Sequence, residues 1–165
     1  MGGFLVIRSY DPLDVFNIPV RVPLFCTLVH PDVEVNTKDA RLILRNEVSL
    51  KNTITQMGNV AGLVSGLMMG DYPLISRSLV DVLIEPVRSI LIPEFTEVKT
   101  AAMEKGALGC SISGAGPSIF ALSKSESEAR VIGEAMKETF ANAGINSTVY
   151  VSGINFEGPR ILEKY

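Results

Sequence analysis

Two apolar runs joined by a glycine-rich tetrapeptide most constrain how this chain folds. The runs LGCSIS at 108–113 and SIFALS at 118–123 flank GAGP at 114–117, a pattern that predicts two strands and a tight turn. An amphipathic helix is predicted from Ser125 to Asn142, followed by a last strand at 147–152. The C-terminal third therefore predicts a hairpin, a helix and a further strand of one sheet.

The predicted helix has both a start signal and an apolar face. Ser125 and Glu128 have the spacing of a capping box. The apolar residues recur every three or four positions, at Ala129, Ile132, Met136 and Phe140. We therefore expect this helix to pack on the sheet through that face.

One more buried strand and several helices are predicted earlier in the chain. The run LFCTLVH at 24–30 is apolar on both faces and predicts a buried strand. Helices are predicted from Asn36 or Thr37 to Arg45, over 49–71, over 74–84 and over 93–105, with a short turn at Pro86 that carries Arg88. This order predicts an α+β fold, a ferredoxin-like βαββαβ sandwich with extra helices in the first crossover.

The longest predicted helix carries glycine at every fourth position, at Gly58, Gly62 and Gly66. This spacing exposes bare backbone along one face, which favours close packing of a second element against the helix. The apolar positions at helical spacing, which predict the buried face, are Leu50, Ile54, Met57, Ala61, Val64 and Met68. The same glycine-lined helix, or an exposed sheet face, could instead form the contact of a homodimer.

Charge and composition exclude several classes of partner. The chain has 15 Lys and Arg against 18 Asp and Glu, without a basic block, so we expect no binding to nucleic acid or to an anionic membrane. No apolar run approaches the ~20 residues of a membrane helix. Cys26 and Cys110 lie far apart in apolar runs, which favours reduced, buried thiols and a cytoplasmic protein. His30, at a strand end, is expected to make one hydrogen bond.

The glycine-rich turn has one local interpretation before any comparison. Gly114 and Gly116 flank Ala115 between two strands, so the residues alone favour a hairpin that needs positive φ angles. Ile119 occupies the place of the third glycine of a dinucleotide fingerprint, and no Gly-Lys-Ser/Thr occurs. The turn is therefore predicted to be neither a dinucleotide-binding loop nor a Walker phosphate-binding loop.

Three stretches nevertheless resemble the homoserine kinase family, within the superfamily that also includes galactokinase, mevalonate kinase and phosphomevalonate kinase. GALGCSISGAGPSIFAL at 106–122 resembles the superfamily's C-terminal glycine-rich signature. HPDVEVNTKDAR at 30–41 resembles the segment whose Thr and Arg face the substrate. DVLIEPVRSILIPEF at 81–95 resembles the segment whose arginine holds the homoserine carboxylate.

The resemblance implies ATP-dependent phosphorylation of the side-chain hydroxyl of L-homoserine, on the route to threonine. It implies that Thr37, Arg41 and Arg88 bind the amino acid. The turn would support the ATP-phosphate loop through Ser113, Gly114, Ala115, Gly116 and Ser118. No residue of this chain is assigned as catalytic base or metal ligand, because ATP and Mg²⁺ are expected to be bound mainly by an N-terminal half.

The residues are chemically suited to these roles. Thr37 and Arg41, four positions apart near a helix N-terminus, project from one face and can form an anion site. The alternative is a solvated helix end. Arg88 can offer a planar fork to a carboxylate, whereas its alternatives are a surface arginine or a salt bridge to Glu85.

The sequence departs from the superfamily in one respect, because it has no Gly/Ser-rich loop of the type GLGSSSA. We therefore expect a strand and a proline-rich connector over 1–23, left from a missing N-terminal domain, and a C-terminal kinase domain over 24–165 that is inactive alone. Pro12, Pro19 and Pro23 are expected to exclude regular structure there. The alternatives are a free-standing amino-acid-binding regulatory module and a structural or dimerisation domain.

Overall fold

Six strands and six α-helices make up the computed structural model, which describes residues 1–163. Residues 164 and 165, which the predicted domain 24–165 includes, lie outside the described residues. The strands are β1 Phe4–Tyr10, β2 Leu13–Ile18, β3 Phe25–Pro31, β4 Gly109–Ile112, β5 Ile119–Ser123 and β6 Ser147–Gly153. The helices are α1 Thr37–Leu42, α2 Leu50–Met69, α3 Tyr72–Ser78, α4 Glu85–Arg88, α5 Phe95–Glu104 and α6 Glu126–Asn142, with a 3-10 helix at Ser89–Leu91.

The central sheet is antiparallel and has the order β4-β5-β3-β6. The first of its strands along the chain, β3, thus lies between the third and the fourth. Helices α1 to α5 all fall in the crossover between β3 and β4, and α6 connects β5 to β6. The predicted ferredoxin-like α+β fold is confirmed.

Helices α5 and α6 cover one face of the sheet. The four predicted apolar residues of α6, Ala129, Ile132, Met136 and Phe140, are all fully buried in the core on this side. The hydroxyl of Thr27 on β3 donates to the carbonyl of Ala129 at 2.7 Å, which satisfies a polar group inside that core. The predicted face of α6 is therefore confirmed.

The second face of the sheet packs against α2, α3 and the hairpin formed by β1 and β2. Leu67 of α2 and Ile75 of α3 are buried there with Leu108 and Leu122 from the sheet. The sheet is thus the middle of three layers. No helix within residues 1–163 has both the length and the apolar character needed to cross a membrane.

The N-terminal segment corrects one prediction, because regular structure extends into the proposed connector. Strands β1 and β2 pair in an antiparallel hairpin, with Phe4 opposite Ile18 and Tyr10 opposite Leu13. The prolines do not prevent this, because Pro12 lies in the turn and Pro19 follows the last residue of β2. At strand ends the missing N–H of proline removes no ladder hydrogen bond.

The apolar face predicted for α2 is also corrected. Leu50, Ile54 and Met57 are 75%, 61% and 67% exposed, whereas Gly66 and Leu67 are the buried residues of this helix. Gly62 and Gly66 face α3, and a Cβ at Gly66 would lie 2.9 Å from the backbone nitrogen of Ile75. The glycine spacing therefore serves close packing between α2 and α3, the use favoured by the sequence.

The boundaries of two short helices differ from the predictions. Helix α1 ends at Leu42 instead of Arg45, and α3 covers Tyr72–Ser78 instead of 74–84. After α3 the carboxylate of Asp81 accepts hydrogen bonds from the backbone N–H groups of Leu83, Ile84 and Glu85. This local capping replaces the predicted last turns of α3 with a loop that leads into α4.

Candidate functional site

Arg88, at the last position of α4, contacts two distant segments of the chain. Its Nε donates to the carbonyl of Ala40 in α1 at 3.1 Å. Its Nη1 donates to the carbonyl of Gly114 in the glycine-rich turn at 3.0 Å. One guanidinium therefore brings together all three stretches that the sequence singled out.

The contact with Arg88 lies where α1 ends. In a continuing α-helix the carbonyl of Ala40 would accept the N–H of Leu44. Here the N–H of Leu44 bonds to the carbonyl of Arg41 at 3.2 Å, and Arg88 donates to the Ala40 carbonyl. The last turn of α1 is thus tightened, and a side chain from another element satisfies its free carbonyl.

Thr37 and Arg41 lie on α1, and both side chains are exposed. The N-cap of α1 is Asn36, whose side-chain oxygen accepts the N–H of Lys38 at 2.8 Å. Of the two N-caps that the sequence allows, Asn36 and Thr37, the structure has Asn36. Because α1 has only six residues, its N-terminus does not by itself form an anion site. The Thr37 hydroxyl and the Arg41 guanidinium lie four positions apart on the helix whose Ala40 carbonyl accepts a hydrogen bond from Arg88.

The glycine-rich turn closes the hairpin between β4 and β5. The Ser113 N–H donates to the carbonyl of Ser118 at 2.8 Å, and the Gly116 N–H donates to Ser113 at 3.1 Å. Gly114 and Gly116 have φ angles of 63° and 86°, a region that favours glycine. The expected hairpin with positive φ is therefore confirmed, and Ala115 lies between the two glycines at its tip.

His30 contributes a contact that the sequence did not assign to the site. Its Nδ1 and the Ser118 hydroxyl lie 2.8 Å apart, at the junction of β3 and the turn. The single expected hydrogen bond of His30 is thus made to a residue of the candidate site. The register of β3 against β5, which places Val29 opposite Ile119, brings the two side chains together.

The alternative salt bridge of Arg88 to Glu85 is not formed. Glu85 pairs with Lys99 of α5, and Arg88 bonds to carbonyls on the opposite side. Both contacts of Arg88 are made without Nη2, and Arg88 is only partly buried. Part of its guanidinium therefore stays available to an anion.

A cavity of about 370 Å³ lies beside these elements. Its walls come from the segment after α1, the start of α2 and the α4 region, including Leu44, Arg45, Asn52, Ile84 and Pro86. This volume is in the range of sites for small molecules. Within residues 1–163, no group of three or more His, Cys, Asp or Glu side chains has an arrangement suited to hold a metal ion.

The two cysteines are assigned no role in this site. Cys110 is 1% exposed, and burial raises the pKa of its thiol to about 12. Burial also raises the pKa of Cys26, which is partly buried on the other sheet face. Both are free thiols, and the neutral form that burial favours is a poor nucleophile.

Known proteins similar to this chain are kinases. The chain is 52% identical over 164 residues to homoserine kinase of Chlorobium phaeovibrioides, an alignment that covers 98% of this chain and 51% of that protein. It is 40% identical over 168 residues to homoserine kinase of Arabidopsis thaliana, covering 98% and 45% respectively. The chain thus spans about half the length of the curated relatives it matches.

Solved structures give the same relationship. The crystal structure of homoserine kinase from Cytophaga hutchinsonii has a TM-score of 0.91 and 57% identity, covering 93% of this chain and 49% of that one. Phosphomevalonate kinase of Streptococcus pneumoniae, at 15% identity and a TM-score of 0.65, shares the fold. Residues 62–142 match the family described as GHMP kinases C terminal. The chain therefore carries a GHMP kinase C-terminal domain over residues 62–142 and is similar over nearly its whole length to homoserine kinases.

Proposed function

We propose that this chain supplies the homoserine-binding side of a kinase that transfers the γ-phosphoryl group of ATP to the hydroxyl of L-homoserine. Thr37, Arg41 and Arg88 bind the amino acid in this proposal. The glycine-rich turn, Ser113 to Ser118, supports the loop that binds the ATP phosphates. The names of the relatives above support the activity, and the geometry supports the division of roles.

The observation that carries the proposal is the position of Arg88 between α1 and the turn. Its bonds to Ala40 and Gly114 place a guanidinium next to the helix that carries Thr37 and Arg41. A guanidinium attracts a carboxylate, and its planar fork can bind it with two parallel hydrogen bonds. Such fixed holders matter because phosphoryl transfer depends mainly on alignment and on stabilisation of charge.

The glycine-rich turn fits a supporting role better than direct binding of phosphate. Its backbone is already held by the bond between Ser113 and Ser118 and by Arg88 on Gly114, and His30 fixes the Ser118 side chain through its hydroxyl. A surface fixed in this way can keep a neighbouring loop in one shape. We assign no Mg²⁺ ligand to this chain, because the family resemblance implies that ATP and Mg²⁺ are bound mainly by the N-terminal half.

Steady-state kinetics of a complete kinase test the proposal. By complete kinase we mean this chain joined to the part of the Cytophaga hutchinsonii homoserine kinase that it does not match. Arg41→Ala and Arg88→Ala should each raise the KM for homoserine. A charge-assisted bond contributes on the order of 2 kcal/mol, which corresponds to a change of about thirtyfold. The KM for ATP should change by less than about threefold.

The matched control is Arg77→Ala, which removes an exposed arginine from the last turn of α3. It should leave both KM values unchanged. If Arg41→Ala and Arg88→Ala alter only the KM for ATP, the assignment of these residues to the amino acid is wrong. If the complete kinase phosphorylates other small alcohols as efficiently as homoserine, the assignment of homoserine as the substrate is wrong.

A further inference from the structure

One ion pair differs from the others in being largely buried. Glu85 of α4 and Lys99 of α5 pair with side chains that are 11% and 28% exposed. The remaining ion pairs among residues 1–163 have side chains that are 40% to 71% exposed. Exposed pairs contribute little to stability, whereas a buried pair fixes its two elements because breaking it leaves an unpaired charge.

The Glu85 carboxylate depends on this single ionic partner. Lys99 donates to Oε1, whereas Oε2 is buried without a hydrogen-bond partner among the described residues. Without the Lys99 ammonium, the carboxylate would be left unpaired. The carboxylate would then have to turn toward the cavity that Glu85 and Lys99 line, take up a proton, or shift α4 away from α5.

Helix α4 has few other means of holding its place. It is a single turn of four residues without a side-chain cap, and an isolated helix of that length is unstable. Asp81 fixes its beginning by accepting the Glu85 N–H at 3.1 Å. Arg88, three residues after Glu85, holds the other end of α4 through its bonds to Ala40 and Gly114, whereas the Glu85–Lys99 pair ties the beginning of the helix to α5.

The pair also lies close to β4, the strand that enters the glycine-rich turn. Both charges of the pair change the pKa of Cys110 on β4. Burial raises the pKa of its thiol most, the Lys99 ammonium lowers that pKa and the Glu85 carboxylate raises it. The pair is therefore positioned where α4, α5 and β4 meet.

We propose that Lys99 and Glu85 are positioning residues for homoserine binding. Their ion pair fixes α4 on α5 so that Arg88 reaches the carbonyls of Ala40 and Gly114 and presents its guanidinium to the substrate carboxylate. This inference rests on the proposed function, because it acts through Arg88. Lys99 and Glu85, which lie outside the site, thus control the affinity for the amino acid.

Kinetics of the complete kinase with Lys99→Met test this inference. The substitution removes the charge and keeps a flexible apolar stem of comparable length. The KM for homoserine should rise at least tenfold, with less than a threefold change in the KM for ATP. Lys99→Arg should restore a value within about threefold of the unsubstituted kinase, since it keeps the cation. Arg130→Met, which breaks the exposed pair with Glu126 on α6, is the matched control and should change neither constant.

A double-mutant cycle separates positioning from a general loss of stability. If Lys99 acts through Arg88, Lys99→Met should raise the KM for homoserine no further in the Arg88→Ala background. Equal effects of Lys99→Met in both backgrounds would overturn the inference. The double variant Lys99→Met/Glu85→Leu removes both charges and tests the same coupling if Lys99→Met alone fails to fold, because no buried carboxylate is left unpaired.

The two proposals fail in different ways. If Arg88→Ala leaves the KM for homoserine unchanged, the proposed function is wrong for Arg88 and this inference falls with it. If Arg88→Ala raises that KM but Lys99→Met does not, only the positioning role is overturned.

Discussion

The opposite environments of Gly58 and Gly66 on α2 predict opposite effects of the same substitution. A Cβ at Gly58 would meet no atom within 4 Å, so Gly58→Ala should stabilise the chain by about 1 kcal/mol through helix propensity. A Cβ at Gly66 would lie 2.9 Å from both the backbone nitrogen and Cγ1 of Ile75. Ordinary contacts begin near 3.4 Å, so α2 and α3 would have to separate by about 0.5 Å.

The net effect at Gly66 combines two terms. Overpacking costs about 1 to 3 kcal/mol, and the gain in helix propensity offsets about 1 kcal/mol of it. Gly66→Ala should therefore be less stable than Gly58→Ala by about 2 kcal/mol, or about 4 to 8 °C in Tm. Gly62→Ala should fall between them, because its Cβ would contact the Ser78 hydroxyl, which can rotate away.

Urea unfolding of the three variants, followed by circular dichroism, measures these differences as free energies of unfolding. The unsubstituted chain is the reference. Equal stabilisation by Gly58→Ala and Gly66→Ala would refute the conclusion that the glycine spacing serves packing of α2 against α3.

Three further predictions concern the turn, the isolated chain and pH. In the complete kinase, Gly114→Val and Gly116→Val should each reduce kcat at least tenfold, because both need a positive φ. Gly144→Val, at a positive-φ glycine outside the turn, is the matched control and should leave kcat unchanged in folded protein. Normal kinetics for the Gly114 and Gly116 variants would reduce the turn to a simple hairpin. The chain alone should unfold cooperatively and show no homoserine-dependent release of ADP in a coupled assay. Folding raises the pKa of the Cys110 thiol from 9.0 to about 12, so the unfolded chain loses this proton at a lower pH than the folded chain. The free energy of unfolding should therefore fall as pH rises from about 9 toward 12. Urea titrations should show a smaller fall for Cys110→Ala.

Elements defined by local signals could be predicted from the sequence. The cap at Ser125, the apolar face of α6 and the two strands around GAGP all depend on residues close in the chain. The order of these elements then selects a single sheet topology. The end of α1 could not be predicted in this way, because the carbonyl of Ala40 is capped by Arg88, which lies 48 residues away.

Helix α2 shows a second limit of periodicity. The helix carries two apolar stripes, one through Leu50, Ile54 and Met57 and the other through Leu63 and Leu67. Hydropathy alone does not indicate which stripe is buried. The glycines settle it, because bare backbone at Gly62 and Gly66 lets α3 approach, and the neighbouring Leu67 is buried with it.

The candidate site was predictable as a set of residues but not as an arrangement. Thr37, Arg41 and Arg88 were named from their stretches of sequence, and their roles toward substrate stay predictions. What the sequence could not indicate was that Arg88 bonds to backbone carbonyls on both sides, or that Lys99 takes Glu85 away from it. Both contacts join elements that are adjacent only in the folded chain.

The number of donors on Arg88 gives its two backbone contacts a further meaning. A guanidinium has five N–H donors, and the bonds to Ala40 and Gly114 use two of them. Three remain, two of them on Nη2, which is enough for a bidentate grip on a carboxylate while both carbonyls stay bound. A lysine at this position would have three donors, so only one would remain once both carbonyls were bound, too few for a bidentate grip on a carboxylate. Of the two strongly basic side chains, arginine alone has enough donors to tie the two backbone segments and grip a carboxylate at the same time.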